Sequence, residues 1–148
     1  MIELNGISKE VASKIILNNI NMKFPKNGII CLVGSNGSGK STLLNIIGGI
    51  DSPTSGSVNF NGVNINEMNE KDKSLFYENH VSFIFQNLNL FENESVIDNI
   101  NIVSNLPAND DLIGYLGLTS ILNKKVKHLS GGEQQKVAIA RALSKDSD

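Results

Sequence analysis

The sequence predicts a mixed α/β domain, and three observations lead to that prediction. A glycine-rich segment, GSNGSGKS, lies between an apolar run and a segment with helical spacing. The first half of the chain contains short segments in which apolar and polar residues alternate, which is typical of half-buried strands. The second half has apolar residues at helical spacing instead. A chain of 148 residues is long enough for one domain with a contiguous core.

Four short segments predict strands. INMKF (20–24) alternates Ile, Met and Phe with polar residues, and SVNFNG (57–62) alternates in the same way. The continuous apolar run IICLV (29–33) is typical of a strand buried on both faces. HVSFIFQ (80–86) is a further strand candidate and ends in Gln86.

The remaining patterns predict helices. KSTLLNIIGG (40–49) predicts a helix that ends at its two glycines, and a short helix is expected around Lys71 to Glu78. ESVIDNINIVSNL (94–106) and NDDLIGYLGL (109–118) predict two more helices, separated by Pro107.

Composition limits the classes of function. Hydrophobic residues make up 40% of the chain and charged residues 19%, which indicates a globular protein. A net charge of -2 disfavours nonspecific nucleic-acid binding, so no nucleic-acid partner is expected. Cys31, the only cysteine, is expected to be a small buried hydrophobe. No apolar stretch of about 18 residues is present, so any membrane role requires a partner.

The glycine-rich segment fits the pattern G-x-x-x-x-G-K-[ST]. Such a loop turns backbone N–H groups inward, and the helix that follows adds unpaired N–H groups and the positive end of its dipole. A flexible Gly/Ser linker would need neither the flanking apolar run nor the helix. The segment therefore predicts a phosphate-binding loop, formed by Gly34, Ser35, Asn36, Gly37, Ser38, Gly39, Lys40, Ser41 and Thr42.

Two of these residues carry the chemistry that a triphosphate needs. Lys40 is expected to place its ammonium group near the terminal phosphates. The Ser41 hydroxyl is expected to bind a Mg²⁺ ion that bridges those phosphates. The sequence thus predicts a nucleoside triphosphate and magnesium as ligands.

A second motif, LSGGEQQ (129–135), precedes a segment with helical spacing. Ser130 is a suitable N-cap, and Glu133 stands three residues later, as in a capping box. Taken alone, the pattern predicts only a well-capped amphipathic helix. The apolar residues expected on one face of this helix are Val137, Ile139, Ala140 and Leu143.

GSNGSGKS, Gln86 after a predicted strand, and LSGGEQQKVAIARAL together resemble the nucleotide-binding domain of ATP-binding cassette (ABC) proteins. The resemblance covers essentially the whole chain. IGGIDSPTSG and HVSFIFQNLNLFE look most like the macrolide-exporter and lipoprotein-release branch. The resemblance implies a P-loop NTPase fold with a mixed sheet core and a helical subdomain. It implies three parts: a P-loop and antiparallel-strand region (1–87), a helical subdomain (88–129) and a signature helix (130–144).

The resemblance also implies how the second motif acts. In the family it is the signature motif, which contacts the γ-phosphate of ATP held by the P-loop of a facing domain. One triphosphate hardly needs two anion-binding helix starts from the same chain. The presence of both therefore fits an arrangement in which two domains face each other. The residues expected to make this contact are Ser130, Gly131, Gly132, Glu133 and Gln134.

Gln86 matches the family's Q-loop residue, which helps to bind magnesium and lies at the hinge to the helical subdomain. The implied function is ATP binding and hydrolysis that drives translocation. The implied partners are a transmembrane permease and a second ATP-binding domain, in a homodimer or heterodimer. The expected location is cytoplasmic, on the inner face of the cell membrane.

Two other functions stay open, a non-catalytic nucleotide-binding or regulatory module and a soluble ABC ATPase of translation or DNA repair. Lys40 and Ser130 lie 130 − 40 = 90 positions apart, too few for the long coiled coil of chromosome-maintenance relatives. This spacing favours a transport-type cassette.

The sequence departs from the family pattern in two places. It ends at RALSKDSD, before the expected strand that carries Asp-Glu, and Asp146 and Asp148 do not replace those residues. His80 and His128 do not match the switch histidine. We therefore expect a truncated cassette that lacks a complete catalytic set and is deficient in hydrolysis. Val11 stands where the family usually has an aromatic residue that stacks on adenine.

Overall fold

The computed structural model describes residues 1–103 and 109–145. Pro107, Asp146 and Asp148 lie outside the described residues. The chain divides into two compact units, residues 1–74 and 75–148. Strands and helices are both present, so the mixed α/β prediction is confirmed.

The first unit contains a four-stranded sheet in the order β2-β1-β3-β4. Its neighbouring strands are all antiparallel. Helix α1 (Lys40–Ile47) lies between β2 and β3 in the chain. The strands are β1 (Ile2–Val11), β2 (Lys14–Lys23), β3 (Ser55–Phe60) and β4 (Val63–Asn64).

A tight hairpin joins the first two strands. Ala12 and Ser13 both have positive φ, 47° and 63°, as a turn that matches the right-handed twist of a hairpin requires. Register shifts and the positive φ of Asn19 (49°) interrupt the pairing further along the hairpin. The predicted alternation in residues 20–24 is therefore wrong at Met22, which is 40% exposed, while Leu17 is buried.

β1 and β3 approach each other closely at Gly56. A Cβ atom added to Gly56 would lie 2.4 Å from the carbonyl oxygen of Gly6, and φ of Gly56 is +90°. Both the space and the backbone conformation thus require glycine at this position.

Helix α1 buries one face of its short length, because Leu43 and Ile46 are three residues apart. It ends at Gly48, as predicted, and Gly49 follows with φ +78°. The buried hydrophobic residues of this unit are Leu4, Ile7, Leu17, Leu43, Ile46, Val58 and Ile65.

An ion pair ties β1 to the turn after α1. The Lys9 ammonium lies 2.7 Å from an Asp51 carboxylate oxygen and also donates to the Ser52 carbonyl. The hydrogen bond from Lys9 is the main reason why the pKa of Asp51 is lowered.

The predicted buried strand at residues 29–33 is wrong. This run has no regular secondary structure, Ile29 is fully exposed and Cys31 is exposed rather than buried. A strand that is apolar on both faces is stable only where neighbouring strands pair with it and other elements cover it. In the described part of the chain, the strands of the antiparallel sheet do not pair with this run.

Helices dominate the second unit. The predicted helix around residues 71–78 is confirmed as α2 (Glu70–His80), which contains the boundary between the units. The remaining helices are α3 (Val96–Asn101), α4 (Asp110–Tyr115) and α5 (Gly131–Leu143). The strand predicted at residues 80–86 is wrong, because residues 81–85 have no regular secondary structure and Ile84 is 50% exposed.

The core of the second unit forms where α3, α4 and α5 meet the turns between them. Its buried members are Val96, Ile100, Ile113, Leu118, Ile121, Val126, Leu129, Val137 and Ala140. The predicted apolar face of α5 is confirmed at Val137 and Ala140, but Leu143 is 61% exposed because it lies in the last turn, outside this core.

A capping box starts α5, as predicted. The Ser130 hydroxyl accepts from the Glu133 backbone N–H, while a Glu133 carboxylate oxygen lies 2.7 Å from both the backbone nitrogen and the hydroxyl of Ser130. These hydrogen bonds, the hydroxyl one above all, lower the pKa of Glu133.

Gly56→Ala should destabilise the first unit more than Gly62→Ala does. Both glycines have similar positive φ values, +90° and +86°, but a Cβ at position 62 meets no atom within 4 Å. The two variants therefore share the backbone strain, and only Gly56→Ala adds a clash with backbone atoms. We expect an additional loss of about 1–3 kcal/mol in the free energy of unfolding, measured by urea denaturation. Equal losses would contradict the close approach of β1 and β3.

Glu133→Gln should make stability less dependent on pH in acid. The folded-state pKa of Glu133 is lowered from its ordinary value of 4.5, so its ionised form stabilises the fold fully above pH 4.5. This stabilisation is lost as the pH falls through the lowered pKa. The difference in free energy of unfolding between wild type and Glu133→Gln should be constant near neutral pH and shrink below pH 4.5.

Ser130→Ala provides the control for this effect, because it removes the hydroxyl that contributes most to the lowered pKa. In that background, Glu133→Gln should show a much weaker pH dependence. If the difference in free energy of unfolding between wild type and Glu133→Gln is the same at pH 7 and in acid, the capping box does not make stability depend on pH.

Candidate functional site

The glycine loop is open in its middle and anchored at its end. Residues 34–38 are exposed, and a Cβ atom at Gly37 would meet no atom within 4 Å. At Gly39, where φ is +89°, a Cβ would lie 3.0 Å from the Ile16 carbonyl oxygen and 3.0 Å from the Leu17 side chain. Strand β2 therefore supports the point where the loop becomes α1.

Helix α1 begins without a capping side chain. Gly39 is its N-cap, no side chain caps it and its first turn contains no acidic residue. The first N–H groups of a helix have no partner within the helix, and the helix dipole makes this end electropositive. Ser41 is exposed and Thr42 is half-buried in the same turn. This helix start can therefore accept an external anion.

Lys40 places a cation within the curve of the loop. Its ammonium donates to the carbonyl oxygens of Gly34 at 2.9 Å and of Ser35 at 2.7 Å. The Ser38 N–H also donates to the Ser35 carbonyl, at 3.3 Å. The loop is thus folded around Lys40, the only cationic residue of residues 34–42, which can pair with a phosphate as a full charge.

The loop offers few ligands for magnesium, so the ion fits here only if a bound ligand supplies further oxygen atoms to coordinate it. Among residues 1–103 and 109–145, no group of three or more His, Cys, Asp or Glu side chains could hold a metal ion. The exposed Ser41 hydroxyl offers one neutral oxygen. Magnesium commonly takes few protein ligands and completes its shell with substrate phosphates and water, which fits this arrangement.

The start of α5 differs from the start of α1. Ser130, Gly131 and Gly132 are exposed there, and a Cβ at either glycine would meet no atom within 4 Å. The Glu133 carboxylate occupies part of the electropositive end through its hydrogen bonds to Ser130. An anion at this site therefore has access to the glycine backbone but lies close to a negative charge.

Gln134 supports the turn before α5 instead of facing the helix start. Its amide donates to the carbonyl oxygens of Val126 and Leu129, both at 3.3 Å. Of the five predicted signature residues, three are exposed at the start of the helix. The other two hold the local structure in place.

Gln86 is exposed and borders a cavity of about 490 Å³ in the second unit. Gln134 lines the same cavity, so two predicted site residues share it. The other lining residues are Asn87, Leu88, Asn89, Leu90, Glu92 and Val126.

Sequence reasoning missed two polar residues of this unit. The Arg141 guanidinium donates to the carbonyl oxygens of Leu88 and Asn89, both at 2.7 Å. Asn99 is fully buried, and its amide makes three hydrogen bonds, to the N–H and carbonyl of Phe91 and to the Ser95 carbonyl. Arg141 follows the apolar run VAIA in its helix, which was the available signal, whereas no local pattern indicates a buried role for Asn99 in VIDNIN.

Val11 ends β1 beside the hairpin turn and is 52% exposed. Its aliphatic side chain offers no ring for stacking on a base. No helix in residues 1–103 and 109–145 has both the length and the apolar composition needed to cross a membrane.

Comparison with known proteins identifies the family. The model of the family described as "ABC transporter" matches residues 17–148. The lipoprotein-releasing system ATP-binding protein LolD of Bacteroides fragilis is 36% identical over 152 residues, covering 97% of this chain and 70% of the relative. The macrolide export ATP-binding/permease protein MacB of Campylobacter jejuni is also 36% identical, over 97% of this chain and 24% of the relative.

A solved structure agrees with these relatives. The dimeric, post-hydrolysis state of the ATP-binding cassette MJ0796, bound to ADP and Pi, has a TM-score of 0.81 and 29% identity. The similarity covers 99% of this chain and 71% of that one. The predicted resemblance, its branch and the P-loop NTPase fold are confirmed. The chain therefore belongs to the ABC transporter family, as an ABC-type ATPase domain similar to those named for lipoprotein release and macrolide export.

Proposed function

We propose that this chain binds ATP with magnesium as the ATP-binding part of an ABC transporter, in which ATP hydrolysis drives translocation through a membrane permease. The observation that carries the proposal is the start of α1, where an uncapped helix and an open loop surround the Lys40 ammonium. Such a site has donors and positive charge for several phosphate oxygens at once. Family membership makes ATP the ligand that best fits it.

Each loop residue has a role in this proposal. The backbone N–H groups of residues 34–42 bind the phosphates, and Lys40 pairs with the terminal ones. Ser41 and Gln86 are the proposed protein ligands of magnesium. A magnesium ion held by these two residues would supply positive charge that stabilises the phosphate oxygens.

We propose further that two cassettes pair, so that the start of α5 in one completes the ATP site of the other. The related MJ0796 structure is dimeric and holds ADP and Pi. Ser130, Gly131 and Gly132 present the exposed backbone that such a contact needs. The second domain is either a copy of this chain or a similar cassette.

The permease and the location are also proposals. A relative named as an ATP-binding/permease protein supports a membrane partner for this chain. We therefore place it in the cytoplasm, on the inner face of the cell membrane. Within it we assign residues 1–87 to the P-loop region, 88–129 to the helical subdomain and 130–144 to the signature helix.

Lys40→Ala should weaken ATP binding by roughly tenfold or more, because a charged hydrogen-bonding group contributes about 1.5–3 kcal/mol. Isothermal titration calorimetry measures the affinity. Lys26→Ala removes an exposed lysine from the same unit and should leave binding unchanged. Thermal unfolding checks that both variants are folded. Wild-type affinity in a folded Lys40→Ala variant would refute the proposed phosphate site.

Gly131→Asp should prevent ATP-dependent pairing without unfolding the chain. The new side chain has free space, and a carboxylate in the first turn of a helix is favourable for the isolated subunit. In the proposed dimer, the same carboxylate would face the triphosphate held by the other cassette and would be repelled by it. Sedimentation velocity with ATP and magnesium should show wild type as dimer and Gly131→Asp as monomer.

Gly131→Asn is the control of matched size, and it should retain more dimer than Gly131→Asp does. ATP binding to the isolated subunit should be the same in all three proteins. A full dimer population in Gly131→Asp would contradict the proposed contact.

A further inference from the structure

Arg141 joins the signature helix to the segment that follows Gln86. The two carbonyls that its guanidinium binds belong to Leu88 and Asn89, two and three residues after Gln86. Both hydrogen bonds are 2.7 Å long, as expected when the donor is charged. The planar group thus holds two consecutive peptide units at once.

Among the described residues, the hydrogen-bond partners of this guanidinium are backbone atoms. Within residues 1–103 and 109–145, Arg141 takes part in no ion pair with a carboxylate. It is half-buried, and the loss of hydration lowers the pKa of its guanidinium. A cation that is partly removed from water needs compensating dipoles, and the Leu88 and Asn89 carbonyls supply them.

The bound segment has no regular secondary structure. Residues 86–90 belong to no helix or strand, and Asn89 has a left-handed φ of +48°. Asn adopts this conformation more readily than most residues, and the hydrogen bond from Arg141 to the Asn89 carbonyl holds the turn in place. Arg141 therefore helps to fix the path of the chain directly after Gln86.

A second cation holds the other side of the same segment. Lys145, four residues after Arg141, donates to the carbonyl oxygens of Val81, at 2.7 Å, and Tyr77. Gln86 lies between the two anchored points. The end of the signature helix and the residues after it thus hold both ends of the chain that carries Gln86.

We propose that Arg141 is a positioning residue that orients Gln86 for binding of the magnesium nucleotide. The inference rests on the proposed role of Gln86 as a magnesium ligand. Ser130 and Arg141 lie on one rigid helix, about 16 Å apart along its axis. The same helix therefore carries the proposed nucleotide contact at its start and the anchor of the Gln86 segment near its end.

The test compares the affinity for ATP in magnesium with that in EDTA, measured by calorimetry on the whole chain. We define the magnesium ratio as the first affinity divided by the second. Arg141→Gln and Gln86→Ala should each lower this ratio by about tenfold, as loss of an orienting group does at metal sites. Affinity in EDTA should stay within about twofold of wild type.

The double variant distinguishes positioning from a general loss of stability. Because Arg141 acts through Gln86, Arg141→Gln combined with Gln86→Ala should lower the ratio no further than Gln86→Ala alone. Amide hydrogen exchange of residues 86–90 should be faster in Arg141→Gln. Lys136→Gln removes an exposed cation from the same helix and should leave the ratio and the exchange unchanged.

Arg141→Lys keeps the charge but loses the planar guanidinium that binds two carbonyls at once, so it should give an intermediate magnesium ratio. If Arg141→Gln fails to fold, Arg141→Lys provides the test instead. A wild-type ratio in a folded Arg141 variant, with Lys40→Ala still weakening ATP binding, overturns this inference alone. Additive losses in the double variant overturn it as well. Wild-type binding by Lys40→Ala overturns the proposed function and this inference together.

Discussion

The structure depends on how each helix satisfies the N–H groups of its first turn. These groups lack partners inside the helix, so a side chain, water or ligand has to bind them. Helix α5 uses Ser130 and Glu133 for this purpose, and α3 uses Ser95 and Asp98 in the same way. Helix α1 begins at a glycine that offers no side chain. The first-turn N–H groups of α5 and α3 are therefore partly satisfied by side chains of the chain itself, whereas no side chain caps those of α1.

Helix α5 organises the second unit around itself. Its start carries the exposed Gly131 and Gly132, and its buried face contributes Val137 and Ala140 to the core. Its end holds the segment after Gln86. Gln134 fixes the turn that leads into it. One helix thus connects the nucleotide contact proposed for Ser130 to the segment that carries the magnesium ligand proposed at Gln86.

The sequence correctly predicted those structural features that depend on only a few neighbouring residues. The helix start at Lys40, its end at Gly48 and the capping box at Ser130 depend on local backbone preferences and hydrogen bonds within one turn. The strands predicted at 29–33 and 80–86 failed because a buried strand needs partners elsewhere in the chain, which an apolar run does not reveal. Arg141 and Asn99 were missed because their partners are backbone atoms of loops whose path no local pattern predicts.

The Lys40 ammonium is already bound to two carbonyl oxygens, and this arrangement gives the loop a means of selecting among anions. An incoming anion has to displace these carbonyl oxygens from the ammonium. Its net binding free energy is therefore only the difference between its own attraction to the ammonium and the attraction of the carbonyls. Chloride or a simple carboxylate carries one charge and gains little from this exchange. A polyphosphate brings several charges and also binds the N–H groups nearby, so abundant small cellular anions compete poorly for the loop.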